Sequence, residues 1–299
     1  MTIRNYFIEK IPTIAKSFYE YFLEIIKQFG NAIALIDPET MKFLTYSELI
    51  NRLEEMRNAL IRLGIQHGDV IGTYTGNSLD YIIFILAAVS IGAILVPLNP
   101  AYKAYEITKY FKEVSVKWIL TEEKLFEKIQ HLKGENVQAM IFFSSGTTGL
   151  PKGVILNHSA LIANVELIRK AQGIRCERYK MINLSSTDVV YGVLPYFHAG
   201  GLLTVLGLLG LGVQIIINRK FNGEEFLKTL SNYQVTTALL VPPVLKFFSN
   251  IPDLNPEAFH SLKYIFIGSA HVNESLVEIV KRRLPKTNIL QCELISKIC

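Results

Sequence analysis

Residues 144–153, SSGTTGLPKG, bring hydroxyl side chains, glycines and one lysine together in a short stretch. Hydroxyl groups and the backbone N–H groups of glycines bind anions well, because no bulky side chain stands between donor and ligand. Lys152 adds a positive charge on a long side chain, which suits a phosphate whose position changes during a reaction. The stretch therefore predicts a phosphate-binding loop, although an ordinary polar turn between two strands has a similar composition. It is not a Walker A loop, since Leu150 follows Gly149 where that motif needs Gly-Lys.

Short apolar runs alternate along the chain with segments that have helical spacing. The runs are predicted to be strands at 118–120, 139–143, 189–194, 213–217, 236–241, 264–268 and 288–290. The other segments are predicted to be helices at 158–171, 223–233 and 272–284. This alternation predicts an α/β fold, with layers of parallel sheet covered by helices. Ligands of such sheets bind beyond the carboxyl ends of the strands, and the phosphate-binding loop follows one predicted strand directly. We find no internal sequence repeat.

One helix has clear end signals. Thr45 and Glu48 form a capping-box pattern at its start, and Gly64 follows its last apolar position. The N-terminal segment, MTIRNYFIEKIPTIAKSFYEYF, is interpreted as an amphipathic helix rather than a secretory signal, because it has no continuous apolar stretch.

Two uncharged stretches, 81–98 and 199–218, are long enough to be considered as transmembrane helices. Each contains a glycine, Gly92 or Gly212, that can end a buried helix before a buried strand. In the first stretch the strand is predicted to stop at Pro97. We prefer the buried interpretation and keep a membrane protein as an alternative.

Charge and cysteine content narrow the possible classes of partner and site. The net charge is +5, and the basic residues are scattered, so the chain lacks the basic patch expected of a nucleic-acid-binding protein. The three cysteines, Cys176, Cys292 and Cys299, have no metal-ligand spacing, which argues against a structural zinc site and for a reducing compartment. A cytoplasmic location is expected, with the peroxisome through a partner as the alternative, since the C-terminal KIC does not match the peroxisomal S-K-L signal.

The string SSGTTGLPKGV resembles the phosphate-binding signature of the adenylate-forming enzymes, which include acyl-CoA synthetases, 4-coumarate–CoA ligases, beetle luciferases and peptide-synthetase adenylation domains. Further segments resemble motifs of this superfamily in the same order: VPLNPAYKAYEI (96–107), VLPYFHAGGL (193–202), RKF (219–221), VPPV (241–244) and IGSA (267–270). The resemblance covers residues 20–291 and is closest to the coumarate-ligase and luciferase branch.

The resemblance implies an ATP-dependent acid–thiol ligase that forms an acyl-adenylate and then an acyl-CoA thioester, in fatty-acid or aromatic-acid metabolism. ATP, Mg²⁺ and coenzyme A are the implied cofactors. The residues implied to bind the β- and γ-phosphates are Ser144, Ser145, Gly146, Thr147, Thr148, Gly149 and Lys152. Of these, Thr148 and Lys152 are also implied to be catalytic. No residue is implied as a direct metal ligand.

Other site residues are implied by their positions in the later motifs. His198 would border the acyl pocket as a third catalytic residue, whereas a structural histidine after a strand is the alternative. Lys220 would meet coenzyme A phosphates, with a solvated surface lysine as the alternative. The residues implied to contact the nucleotide beyond the phosphates are Gly268, Ser269, Ala270 and Gln291. Gly200 stands where coumarate ligases carry an aromatic residue, which argues against a hydroxycinnamate substrate. The acid is expected to be a different one, either aliphatic or aromatic.

The agreement stops after Gln291, where QCELISKIC replaces the family's Q-G-Y-G-x-T-E. We therefore expect residues 1–125 to form a first lobe and residues 126–299 a truncated second lobe of an incomplete N-terminal domain, without the C-terminal domain. The isolated chain is expected to be catalytically incomplete. A non-catalytic module that binds nucleotide or carboxylic acid, and that could associate with a full-length relative, is the alternative.

Overall fold

The computed structural model describes residues 17–122, 140–144, 152–170, 172, 175–176, 179–180, 183–268, 270 and 272–291. The α-helices in these ranges are α1 (Phe18–Ile26), α2 (Tyr46–Arg62), α3 (Leu79–Ser90), α4 (Ala104–Glu113), α5 (His158–Lys170), α6 (Ala199–Leu209), α7 (Gly223–Asn232), α8 (Pro242–Asn250) and α9 (Glu274–Arg283). The first strands are β1 (Ile33–Asp37), β2 (Lys42–Thr45), β3 (Val70–Tyr74), β4 (Ile94–Leu98), β5 (Trp118–Thr121), β6 (Met140–Ser144) and β7 (Lys152–Leu156). The later strands are β8 (Arg175–Cys176), β9 (Tyr179–Lys180), β10 (Val189–Gly192), β11 (Gln214–Ile217), β12 (Thr237–Leu240), β13 (Tyr264–Ile267) and β14 (Asn288–Gln291).

Helix α2 begins as its sequence predicts. The Thr45 hydroxyl accepts a hydrogen bond from the Glu48 N–H at 3.1 Å, and the Glu48 carboxylate accepts one from the Thr45 N–H at 2.8 Å. This capping box satisfies two backbone donors at the start of the helix. The predicted capping box is therefore confirmed.

The two uncharged stretches each form a buried helix and a buried strand, α3 with β4 and α6 with β11. Gly92 and Gly212 have φ angles of +74° and +79°, which L side chains rarely adopt, so each lets the chain turn from helix into strand. Within the described ranges, no helix is both long enough and apolar enough to cross a membrane. The predicted end of the strand at Pro97 was wrong, because β4 continues to Leu98. At these two residues only β3 pairs in register with β4, so the missing N–H of proline does not interrupt the strand.

Two large sheets form the framework and are mostly parallel, as predicted. The seven-stranded sheet has the order β14-β13-β12-β10-β11-β1-β2, and the five-stranded sheet has the order β5-β3-β4-β6-β7. The antiparallel pairs within these sheets are β1 with β2 and β6 with β7. The sequence analysis did not identify β1, β2 or β3.

The sheets and helices stack in alternating layers. A central core lies between the two sheets and contains apolar residues of α1, α2, α3, α5 and α6. Helix α4 covers the outer face of the five-stranded sheet, while α7, α8 and α9 cover the outer face of the seven-stranded sheet. Alternate residues of one strand serve different layers, since Ile71 packs in the central core and Val70 packs with α4.

Each sheet takes strands from both parts of the chain. Strands β1 and β2 (33–45) join the sheet that holds β10–β14, and β6 and β7 (140–156) join the sheet that holds β3–β5. The predicted boundary between two lobes, at residues 125 and 126, therefore stays a prediction.

A structural repeat connects the two sheets, although no sequence repeat is visible. The segments β3–α3–β4–α4–β5 and β10–α6–β11–α7–β12 have the same connections, and in both the first strand lies between the second and the third. Equivalent strands start 119 or 120 residues apart: Val189 after Val70, Gln214 after Ile94 and Thr237 after Trp118. Buried Asp69 and Asp188 precede the two first strands, and each carboxylate accepts a 3.0 Å hydrogen bond from the N–H three residues earlier.

Candidate functional site

Four residues that the sequence singles out lie along the carboxyl edge of the seven-stranded sheet. Strands β10 to β14 are mutually parallel, so the segments that follow them meet along one edge. His198 lies six residues after β10, Lys220 follows β11, Gly268 follows β13, and Gln291 is the last residue of β14. The next strand in the chain, β11, lies on one side of β10, and the strand after that, β12, lies on the other side. Ligands of such sheets bind in the crevice beside the carboxyl end of the strand where the order reverses, which here is β10.

His198 is the first residue before α6 and is exposed at this edge. Its ring lies 4.3 Å from the Phe197 ring, centroid to centroid. Desolvation by the neighbouring protein lowers the pKa of His198 below its ordinary value, so the imidazole is mainly neutral at pH 7. The ring makes no hydrogen bond to the residues that the structure describes. A neutral imidazole can donate or accept one hydrogen bond at a ligand carboxyl group.

Strands β6 and β7 place the ends of the phosphate-binding loop at the matching edge of the five-stranded sheet. β6 runs parallel to β4, with Leu95 opposite Met140, and pairs antiparallel with β7. Ser144 and Lys152 are the last cross-strand pair of this hairpin. Ser144 and Lys152 therefore lie at the carboxyl edge, where the sequence predicts the two ends of the loop.

Part of the predicted site lies outside the described residues. The residues concerned are Ser145, Gly146, Thr147, Thr148, Gly149 and Ser269. Their assignments stay predictions, as does every interpretation of the sequence after Gln291.

The remaining predicted residues differ in exposure. Gly268 is buried, and its N–H donates to the Leu240 carbonyl at 3.1 Å, while Ala270 is exposed. Lys220 is exposed and forms no ion pair within the described part of the chain, unlike Arg219, which lies 3.5 Å from Glu39. These positions suit a small-residue surface beside β13 and a cationic surface after β11.

Asn77 is a candidate site residue that the sequence analysis missed. It follows β3, is 5% exposed, and its side-chain amide spans the space between the two sheets. The amide Nδ2 donates to the carbonyls of Leu194 at 3.0 Å and Asn218 at 3.4 Å, and Oδ1 accepts from the Tyr196 N–H at 3.0 Å. The carboxyl ends of β3, β10 and β11 are thereby tied together. The available signal was the polar stretch TGNS directly after an apolar run.

The chain is similar to known proteins over most of its length. The family model described as "AMP-binding enzyme" matches residues 22–139 and 133–292. Among relatives, 4-coumarate–CoA ligase 3 of Arabidopsis thaliana is 30% identical over 90% of this chain and 54% of its own length. The 4-coumarate–CoA ligase CCL1 of Humulus lupulus is 29% identical over 91% of this chain and 56% of its own length. The chain thus spans about half the length of the curated relatives it matches.

Solved structures show the same fold. The inhibitor-bound N-terminal domain of FACL13 from Mycobacterium tuberculosis has a TM-score of 0.77 and 20% identity, covering 94% of this chain and 76% of that one. ATP-bound MatB from Rhodopseudomonas palustris has a TM-score of 0.75 and 20% identity, covering 88% of this chain and 57% of that one. The family match over most of the sequence, the relatives and the shared fold lead to one conclusion: the chain belongs to the AMP-binding enzyme family.

Proposed function

We propose that the chain forms the ATP- and acid-binding part of an ATP-dependent acid–thiol ligase. One observation carries the proposal: Asn77 joins the two carboxyl edges, one of which holds the Ser144–Lys152 pair and the other the exposed His198. A site that joins ATP to a carboxylic acid needs a polyanion-binding loop and a less polar acid pocket next to each other. The ligase names of the relatives and the ATP-bound neighbour support this assignment.

In the proposed reaction, a carboxylate oxygen bonds to the α-phosphorus of ATP as the bond to pyrophosphate breaks. The thiol sulfur of coenzyme A then attacks the acyl carbon and AMP leaves. Residues 144–149 and Lys152 bind the β- and γ-phosphates, and neutral His198 borders the carboxylate without adding charge. Gly268, Ser269, Ala270 and Gln291 lie against the nucleotide, and Lys220 meets coenzyme A phosphates. Mg²⁺, when bound, would share the phosphate charge.

We further propose that the 299-residue chain alone binds these substrates without sustained turnover. After Gln291 the sequence continues CELISKIC, which lacks the tyrosine, threonine and glutamate implied by the family pattern. Losing a single preorganised group of this kind costs about 2.7–4 kcal/mol of transition-state stabilisation. Because several such groups are missing together, we expect substrate binding to persist where catalysis does not.

Two assays on the full chain separate binding from catalysis. Calorimetry measures ATP binding, and ATP–pyrophosphate exchange with a panel of aliphatic and aromatic acids measures the first chemical step. We expect Lys152→Ala to weaken ATP binding about 10- to 100-fold, because it removes hydrogen bonds to a charged group. The matched control is Lys220→Ala, which removes a lysine at another strand end and should leave ATP affinity unchanged.

The outcomes are distinct. Wild-type ATP binding that is lost in Lys152→Ala and kept in Lys220→Ala supports the proposed site. Exchange above background would show that the chain itself is catalytic and would overturn the inactivity proposal. Absence of ATP binding by the wild-type chain, or equal affinities of the two variants, would contradict the nucleotide site itself.

A further inference from the structure

A single buried amide holds together three backbone segments that come from different sheets. The Asn77 side chain follows β3 of the five-stranded sheet, and its partners Leu194, Tyr196 and Asn218 follow β10 and β11 of the seven-stranded sheet. These three hydrogen bonds of the Asn77 side chain are all to backbone groups. They therefore fix the course of the chain rather than the rotamers of neighbouring side chains. The fixed segment ends two residues before His198.

The structural repeat explains why this contact occurs where it does. Asn77 and Tyr196 are separated by 119 residues, the same offset that relates β3 to β10, so they occupy equivalent loops of the two repeated units. The Asn77 side chain thus accepts a hydrogen bond from the backbone of its own counterpart in the second unit. The residues before the following helices differ: Ser78 precedes α3 and caps it, whereas His198 precedes α6 without a side-chain cap.

We propose that Asn77 is a positioning residue for His198, through which the first repeated unit fixes the acid-binding loop of the second. This inference rests on the proposed function, in which His198 borders the carboxylate. The amide satisfies two carbonyls and one N–H at once, a combination that needs both a donor and an acceptor on a short side chain. Displacement of a reacting group by about 1 Å can reduce a rate about 10²-fold, so a loop held at three points has a direct effect on chemistry.

A merely structural role would affect stability alone, so a matched control is needed. Thr287 is 6% exposed, and its hydroxyl donates to the Leu262 carbonyl at 2.8 Å. These residues precede β14 and β13, so this buried tether lies at the opposite, amino-terminal edge of the seven-stranded sheet. Thr287→Val removes a side-chain-to-backbone bond of the same kind, far along the strands from His198.

The experiment uses the full chain with ¹³C-labelled histidine and follows the Cε1–Hε1 signals by NMR across pH. The His198 signal is assigned from its loss in His198→Gln. In Asn77→Ala and in the nearly isosteric Asn77→Asp, we expect the His198 signal to shift and its titration midpoint to rise towards the ordinary histidine value, as the loop becomes more hydrated. His158 lies after β7 of the five-stranded sheet, and its NMR signal should not shift. Thr287→Val should move neither signal.

A second readout connects the geometry to the proposed chemistry. Where the wild-type chain supports exchange, both Asn77 variants should reduce its rate by about 10²-fold with ATP affinity unchanged, and Thr287→Val should not. An unchanged His198 signal in the folded Asn77 variants would overturn the inference, as would an equal change in Thr287→Val. Because the NMR readout needs no turnover, it decides the role of Asn77 even if exchange is absent. If Asn77→Ala does not fold, Asn77→Asp provides the same comparison.

Discussion

The buried hydroxyl of Thr237 offers a direct test of how polar groups are accommodated in the seven-stranded sheet. Thr237 begins β12 between Val190 and Tyr264, is 0% exposed, and its Oγ1 has no hydrogen-bond partner among the residues that the structure describes. The residue before it behaves differently, since the Thr236 hydroxyl accepts from the Val189 N–H at 3.1 Å and donates to the Val189 carbonyl at 3.2 Å. Substitution by valine at the two adjacent positions should therefore have opposite effects.

The magnitude follows from the cost of burying a hydroxyl. Without a hydrogen bond this cost is about 1–3 kcal/mol in proteins, and valine has nearly the same shape as threonine. We expect Thr237→Val to raise the free energy of unfolding by about 1–2 kcal/mol. Thr236→Val should lower it by about 1–2 kcal/mol, because each lost hydrogen bond has a net value of about 0.5–1.5 kcal/mol.

Urea unfolding of the wild-type chain and both variants measures these changes. The midpoints should move to higher urea for Thr237→Val and to lower urea for Thr236→Val, with the slopes unchanged. Loss of stability in Thr237→Val, of the same size as in Thr236→Val, would refute the reasoning. It would mean that the Thr237 hydroxyl has a stabilising partner.

Two further stability predictions concern an ion pair and a helix start. Burial alone would raise the pKa of the Asp69 carboxyl, but hydrogen bonds, including one from Lys117 at 2.7 Å, hold it below its usual range. Its stabilisation is therefore complete above the unfolded-state pKa of about 4 and is lost as pH falls through the folded-state pKa. Acid titration of the unfolding free energy should be steeper for the wild type than for Asp69→Asn, and parallel curves would contradict this. At α6, a Cβ on Gly200 meets nothing within 4 Å, whereas one on Gly201 would collide with the Pro195 carbonyl. Thermal unfolding should show Gly200→Ala stabilised by up to about 1 kcal/mol and Gly201→Ala destabilised by about 1–3 kcal/mol, and equal effects would count against this packing.

The sequence could predict those features that depend on neighbours along the chain. Gly92 and Gly212 divide the apolar stretches, and the Thr45–Glu48 pattern marks a helix start, because turns and caps are decided by a few consecutive residues. The position of His198 after a buried strand could likewise be predicted from the residues around it. These local signals were sufficient to predict parallel sheets and to place the candidate loop at their carboxyl edge.

The sequence could not predict what depends on contacts through space. Nothing in the local pattern indicates that β1 pairs with β11 or that Asn77 reaches Leu194, since hydrophobic periodicity carries no information about partners. The structural repeat was missed because its units share a topology and a few capping positions, such as Asp69 and Asp188, while most apolar positions tolerate any residue of suitable size.

The pairing of β1 with β11 affects how the protein forms during synthesis. Leu35 lies opposite Ile215, so the N-terminal hairpin of β1 and β2 must wait until residues near 217 leave the ribosome before it gains its parallel neighbour. A two-stranded hairpin alone is marginally stable in water, and such distant pairing slows folding. The five-stranded sheet also stays incomplete until β6 arrives, after β3, β4 and β5 have met. A nascent chain halted before β11 therefore leaves one edge of β1 unpaired, and an unpaired strand edge is prone to aggregation and chaperone capture.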